Sequence, residues 1–172
     1  IGESAFYQCS SLTSITIPDS VTTIGDNAFE SSGLTSITIP DSVSIIGDSA
    51  FLRCTQLTSI TVDSDNTVYS SDSNGVLFDK IKTVLIQYPI GTTNPSYIIP
   101  DSVTTIGDRA FYNCDDLTSV TIPDSVTIIG NESFYDCISL SSVTIGDGVT
   151  TIGDSAFFRC YELKSITIPN SV

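Results

Sequence analysis

Five cysteines, Cys9, Cys54, Cys114, Cys137 and Cys160, each stand three residues beyond a phenylalanine. Thiols can ligate metal, attack as nucleophiles or pair as disulfides. A metal site needs converging ligands, commonly paired at C-x2–4-C. These cysteines are spread one to a segment, and the chain has no His. A thiol nucleophile needs a base beside it, and none accompanies any of the five. If the segments stack at the strand spacing of about 4.8 Å, a disulfide could just span neighbours. Free Cys is a small, readily buried hydrophobe, so the expectation is a ladder of buried, reduced thiols. The redox compartment therefore does not follow from cysteine usage.

Carboxylates recur in the same way. Asp19, Asp41, Asp101, Asp124 and Asp147 share one position, continued by Asn170, and Glu3, Asp26, Asp48, Asp108 and Asp154 share another, interrupted by Asn131. Like charges about 5 Å apart in water repel by roughly 0.8 kcal/mol, which a cation would relieve. Calcium wants six to eight oxygens from varied directions, and one Asp per segment does not supply them. Asx turns and N-caps explain both sets without metal. The run Asp63-Ser64-Asp65-Asn66 has a trace of a calcium loop but lacks its sixth-place Gly and distal Glu. A glycosidase pair needs two carboxyls in different environments, whereas these lie in repeated exposed columns. No Ser sits in a nucleophile elbow, and no Gly-rich phosphate loop follows a strand. The expectation is a non-enzymatic chain with no catalytic, cofactor-binding or metal residues and no cofactor.

The elements that position these residues come from a repeat. The Ile-Gly pair falls at Ile1, Ile24, Ile46, Ile106, Ile129 and Ile152, steps of 23, 22, 60, 23 and 23 residues. A period in the twenties denotes a solenoid whose coils bury their apolar edges against neighbours. Within one coil, Leu12, Ile15 and Ile17 alternate with Ser14 and Thr16 as a half-buried strand. Pro18 ends that strand, and Pro18-Asp19-Ser20 has turn composition. Val21 and Ile24 continue the core, Gly25 permits a sharp corner, and Asp26 is placed to cap a single helical turn carrying Ala28 and Phe29. Phe6, Phe29, Phe51, Phe111, Phe134 and Phe157 should form one stacked column of core packing.

With Lys+Arg 6 against Asp+Glu 20, the formal charge is −14, which repels nucleic-acid phosphates and anionic membranes. No run approaches the roughly 20 apolar residues of a membrane span, so no nucleic acid and no membrane insertion are expected. The chain opens and stops in mid-repeat and reads as a piece of a longer array without polar end caps. Exposed coil edges at each terminus, such as Ile166 and Ile168, suggest end-to-end self-association.

The phrase Ile-Pro-Asp-Ser-Val-x-x-Ile-Gly-Asp-x-Ala-Phe-x-x-Cys, following Leu-x-x-Ile-x-Ile, resembles the BspA-like, or Treponema pallidum-type, class of leucine-rich repeats over nearly the whole chain. The fold class expected is a leucine-rich-repeat solenoid. It should be right-handed and without end caps, with mostly short parallel β-strands and single helical or 3-10 turns. The resemblance implies large surface or secreted proteins of bacteria and some mucosal protists, associated with adhesion to host proteins, extracellular matrix and other microbes.

Regular repeats span 1–62 and 96–172, and residues 63–95 are an irregular coil within one solenoid. Val76-Leu77-Phe78 and Val84-Leu85-Ile86-Gln87-Tyr88 read as a β-hairpin. When the repeat resumes, Ile98 replaces the outward Thr. Insertions in solenoids can mark a binding face, which nominates Tyr69, Lys80, Lys82, Tyr88 and Ile98 as partner contacts. Alternatively the segment is a variant coil that fills its own core, and similar irregular coils occur in the family. Two functions stay open. One is an adhesion-type interaction module that binds a protein or glycan on a host or neighbouring cell surface. The other is a passive spacer, for which the bland Ser/Thr ladder from Ser14 to Thr167 speaks, since hot spots favour Trp, Tyr and Arg.

Overall fold

A computed structural model describes all of residues 1–172 as thirteen short strands joined by turns, with no helix. It is a β-solenoid, and two compact units are distinguished: Ile1–Ile81 with Gln87–Thr92, and Lys82–Ile86 with Thr93–Val172. The first unit contains β1 (Thr23–Ile24), β2 (Ser36–Ile39), β3 (Ile45–Ile46), β4 (Ser59–Val62), β5 (Tyr69–Ser71) and β6 (Leu77–Asp79). β2 and β4 run parallel with Ser36 opposite Ser59 and Thr38 opposite Thr61, and β1 and β3 pair the same way. β5 is antiparallel to β6.

The second unit is built on β7 (Val84–Gln87), β8 (Ser96–Ile98), β9 (Thr105–Ile106), β10 (Ser119–Ile122), β11 (Ile128–Ile129), β12 (Ser142–Ile145) and β13 (Thr151–Ile152). β8, β10 and β12 form one parallel ladder. β9, flanked by β7 and β11, belongs to another that continues to β13.

Alternation dictates the layering. Leu34, Ile37 and Ile39 are buried while Ser36 and Thr38 are exposed. Each such Leu or Ile contributes about 1.5–3 kcal/mol of burial. Hydroxyls just ahead of the strands tie coils together: Thr58 Oγ1 donates to Thr35 O (3.0 Å) and Thr118 Oγ1 to Pro95 O (2.8 Å). The Pro-Asp-Ser-Val turn closes with the Val43 N–H on Pro40 O (3.2 Å) and the Val126 N–H on Pro123 O (3.1 Å). Phenylalanines stack inside each unit. Ring centroids lie 5.1 Å apart for Phe6–Phe29 and 5.8 Å for Phe29–Phe51, then 4.7 Å for Phe111–Phe134 and 5.1 Å for Phe134–Phe157.

Two local expectations are corrected. No helical turn follows the Ile-Gly corner. The Ala28, Glu30 and Ser32 N–H groups bond three residues back within the coil, to Gly25, Asn27 and Phe29. The alternate Asn27, Phe29 and Ser31 N–H groups donate instead to Asp48, Ala50 and Leu52 of the next coil, at 2.8–2.9 Å. Asn27 (φ 52°) and Ser31 (φ 57°) turn left-handed to make this possible. An L residue there costs about 1–2 kcal/mol, and the coil-to-coil bonds offset it because a helix would leave those neighbouring carbonyls unpaired.

The second correction concerns the corner glycines, none of which has positive φ. They are needed for close approach. A Cβ on Gly130 would lie 2.6 Å from Asp108 Oδ1 and 2.7 Å from Asp108 N, and one on Gly47 would lie 2.2 Å from Asp26 Oδ1.

Candidate functional site

The corner acids are not N-caps of their own coils. Asp26 Oδ1 accepts from the Asp48 N–H of the next coil (2.9 Å), Asp108 Oδ1 from the Asn131 N–H (2.7 Å), and Asn131 Oδ1 from the Asp154 N–H (2.8 Å). Asn131 Nδ2 also donates to Asp108 Oδ2 (3.2 Å), so the neutral member supplies the donor that a carboxylate lacks. The turn acids repeat the pattern, with the Asp147 N–H on Asp124 Oδ1 (2.9 Å). These oxygens are committed to backbone donors along a line.

Cys54, Cys114, Cys137 and Cys160 are buried and unpaired, whereas Cys9, in the first coil, is exposed. Cys54 Sγ donates to Phe29 O (3.0 Å), Cys137 Sγ to Phe111 O (3.0 Å) and Cys160 Sγ to Phe134 O (3.2 Å). Burial pushes the Cys54 thiol up, the Cys114 thiol well up, and the Cys160 thiol to about 12. They act as small core residues with a weak donor.

The five nominated contacts divide between the units. In the first, Tyr69 opens β5 and is half-buried, and its hydroxyl accepts the Ile46 N–H (2.9 Å) at β3. Lys80 Nζ donates to Ser64 O (3.1 Å) and to Asn66 O. Tyr88 is only 1% exposed, so it packs in the core and offers no surface to a partner. That corrects its nomination: an apolar run after a polar link reads alike whether its aromatic points in or out. In the second unit, Lys82 has left-handed backbone (φ 58°) and is partly exposed. Ile98 is 74% exposed, in register with Thr121 and, beyond it, Thr144. Its neighbour Tyr97 points inward and meets Phe111, with centroids 6.0 Å apart.

Sequence reasoning missed the residue that holds the polar loop. Asn66 is fully buried. Its Nδ2 donates to Pro40 O (2.8 Å) and Val43 O (2.9 Å), and its Oδ1 accepts from the Val68 (2.9 Å) and Tyr69 (2.8 Å) N–H groups. Both expected runs, at 76–78 and 84–88, contain strands, β6 and β7. The missed strand is β5, whose Tyr-Ser-Ser has no apolar alternation. Its turn to β6 is set by Asp72 Oδ1, which accepts from the Asn74 and Val76 N–H groups (both 2.9 Å), and by Gly75 at φ 72°.

Also unforeseen is a second aromatic column in the second unit, just after the core phenylalanines. Tyr112–Tyr135 centroids are 4.8 Å apart and Tyr135–Phe158 5.0 Å, with the Arg159 guanidinium 5.5 Å from the Phe158 ring. All three arginines face a neighbouring coil's carboxylate: Arg53–Glu30 at 3.8 Å, Arg109–Glu132 at 2.6 Å and Arg159–Asp136 at 3.5 Å. A cleft of ≈ 230 Å³ on the first unit, among Ile15, Thr16, Thr38, Pro40 and Asp63, is small beside typical ligand pockets of about 300–1,000 Å³. The arrangement suits non-covalent contact over a hydroxyl-lined face. No helix is long and apolar enough to cross a membrane.

Comparison with known proteins agrees with this geometry. The BspA-type leucine-rich repeat region matches in six copies, over residues 1–94 and 90–172. A leucine-rich cell surface protein from Faecalibacterium prausnitzii is 39% identical with a TM-score of 0.90, over 99% of this chain and 45% of that one. The pneumococcal vaccine antigen PcpA is 27% identical with a TM-score of 0.88, over 100% of this chain and 49% of its own. A Treponema pallidum leucine-rich repeat protein is 29% identical with a TM-score of 0.61, over 95% of this chain and 70% of its own. The chain thus spans less than half the length of the first two. No curated protein sequence matches. Repeat phrase, coil geometry and six-fold match together place the chain in the BspA-type leucine-rich repeat family.

Proposed function

We propose that this chain is a non-enzymatic interaction module of a cell-surface or secreted protein. It binds a protein or glycan on a host or neighbouring cell through the strand face around Ile98. One observation carries the reading: an isoleucine 74% exposed in a column otherwise made of threonine. Contacts in the core of interfaces are apolar and desolvated, and the regular positions of this face offer only hydroxyls. The likeness to a leucine-rich cell surface protein supports the location. Lys82, in the same unit, and Tyr69 and Lys80 of the first unit remain secondary contacts, with Tyr69 and Lys80 already engaged in holding the irregular coil.

The test is Ile98→Thr, which restores the repeat. It should leave folding intact and weaken binding to a panel of immobilised matrix proteins and cell-surface glycans at least tenfold. Unchanged binding moves the site off this face. A second reading, a passive spacer, is favoured by the uniformity of the Ser36–Ser59 and Thr38–Thr61 pairs along the strands. It predicts no binding by the parent chain to any member of the panel.

A further inference from the structure

Three consecutive coils of the second unit carry Cys114, Cys137 and Cys160, all buried and unpaired. In the first unit the column reads Cys9, Ser32, Cys54, so no two thiols adjoin. The reach across this column is measured there: Ser32 Oγ lies 3.3 Å from Cys54 Sγ, 22 residues away. In the second unit the Cys114 and Cys137 side chains interact, which adds to burial in pushing the Cys114 thiol up. The Cys137 and Cys160 thiols turn instead to the carbonyls of Phe111 and Phe134. Beside the pair, the Asn113 N–H holds Tyr135 O at 2.9 Å. That fixes the two backbones near the strand spacing of about 4.8 Å, inside the roughly 4.4–6.8 Å that disulfides require between Cα atoms.

We propose that Cys114 and Cys137 are a disulfide-forming pair that cross-links two consecutive coils when the chain folds in oxidising surroundings. A surface or secreted location would supply such surroundings, but the chemistry does not depend on the proposed binding function. With a disulfide such as oxidised glutathione as oxidant, one thiolate displaces one glutathione to give a mixed disulfide. The second thiolate then displaces the other glutathione. Two S–H bonds are lost and one S–S bond is made, and the electrons and protons leave on two glutathione thiols. Closed coils bury the thiols, so exchange proceeds while the coils are open and the product is retained when they close.

The experiment refolds the reduced 172-residue chain in a glutathione redox buffer, blocks remaining thiols and maps a non-reducing digest made with an aspartate-specific protease. The expected product is a Cys114–Cys137 link in most molecules, with a higher unfolding midpoint than the reduced chain. Cys160→Ser should retain the link and Cys114→Ser abolish it. Ser32→Cys should add a second link, to Cys54. Free thiols or glutathione adducts alone would overturn the proposal, as would a dominant Cys137–Cys160 link or a statistical mixture. The mapping of the parent chain decides the matter even where a variant fails to fold.

Discussion

Replacing Ser133 with alanine should make the protein more stable. Ser133 is fully buried and its Oγ has no hydrogen-bond partner. Four other coils fill this position with Ala28, Ala50, Ala110 and Ala156, each at most 3% exposed. An unsatisfied buried hydroxyl costs about 1–3 kcal/mol, and removing one oxygen leaves a void that offsets part of the gain. The net expectation is about 1 kcal/mol, which for a domain of this size raises Tm by roughly 2–4 °C. The reverse change, Ala28→Ser, should lower stability by a similar amount. Urea and thermal midpoints of both variants supply the measurement, compared at equal slope because repeat arrays can depart from two-state behaviour. A Ser133→Ala midpoint equal to or below that of the parent would refute the reasoning and mean that a buried water satisfies the hydroxyl.

Asn66→Ala should cost about 2–4 kcal/mol by orphaning the buried groups it bonds, read as a lowered urea midpoint, with proteolysis beginning in 63–72. Gly130→Ala should destabilise by about 1–3 kcal/mol through its contact with Asp108, while the exposed Gly2, whose Cβ would meet nothing within 4 Å, should tolerate the same change. Alkylation of the native reduced protein should label Cys9 first and leave Cys54, Cys114 and Cys137 until unfolding, which peptide mapping will show. Burial raises folded thiol pKa values above the ordinary 9.0, to about 12 for Cys160. Between those values the folded state holds protons that the unfolded state has lost, so stability should fall as pH rises from 9 towards 12. A flat midpoint over that window would contradict the thiol burial.

Much of this fold could be read from residues because a repeat multiplies weak local signals. The Leu-x-x-Ile-x-Ile alternation located β2, β4, β10 and β12, and the break at Ile98 marked an exposed apolar group. The turn after each Ile-Gly pair was misread as helical because helix rules consider one chain segment alone. Asn27 and Ser31 answer to carbonyls 21 residues on, and no local propensity records that demand. The role of Gly25 was misassigned for the same reason: its constraint comes from the Gly2–Glu3 backbone of the preceding coil, not from its own φ. The role of Asn66 escaped notice because a buried polar hub in a polar loop looks like solvent-exposed composition until its partners are known. Tyr88 was misplaced because aromatic type says nothing of direction.

The hydrogen bonds that alternate N–H groups send to the next coil have a mechanical consequence. They lie along the direction in which the coils of a unit stack, so a pull along that direction loads them a few at a time. Each regular coil that detaches frees about 23 residues, or roughly 80 Å of extended chain. Its neighbours keep their own bonds meanwhile. A unit under tension therefore lengthens in steps of one coil, with a sawtooth force trace, and re-forms from whichever coils remain stacked.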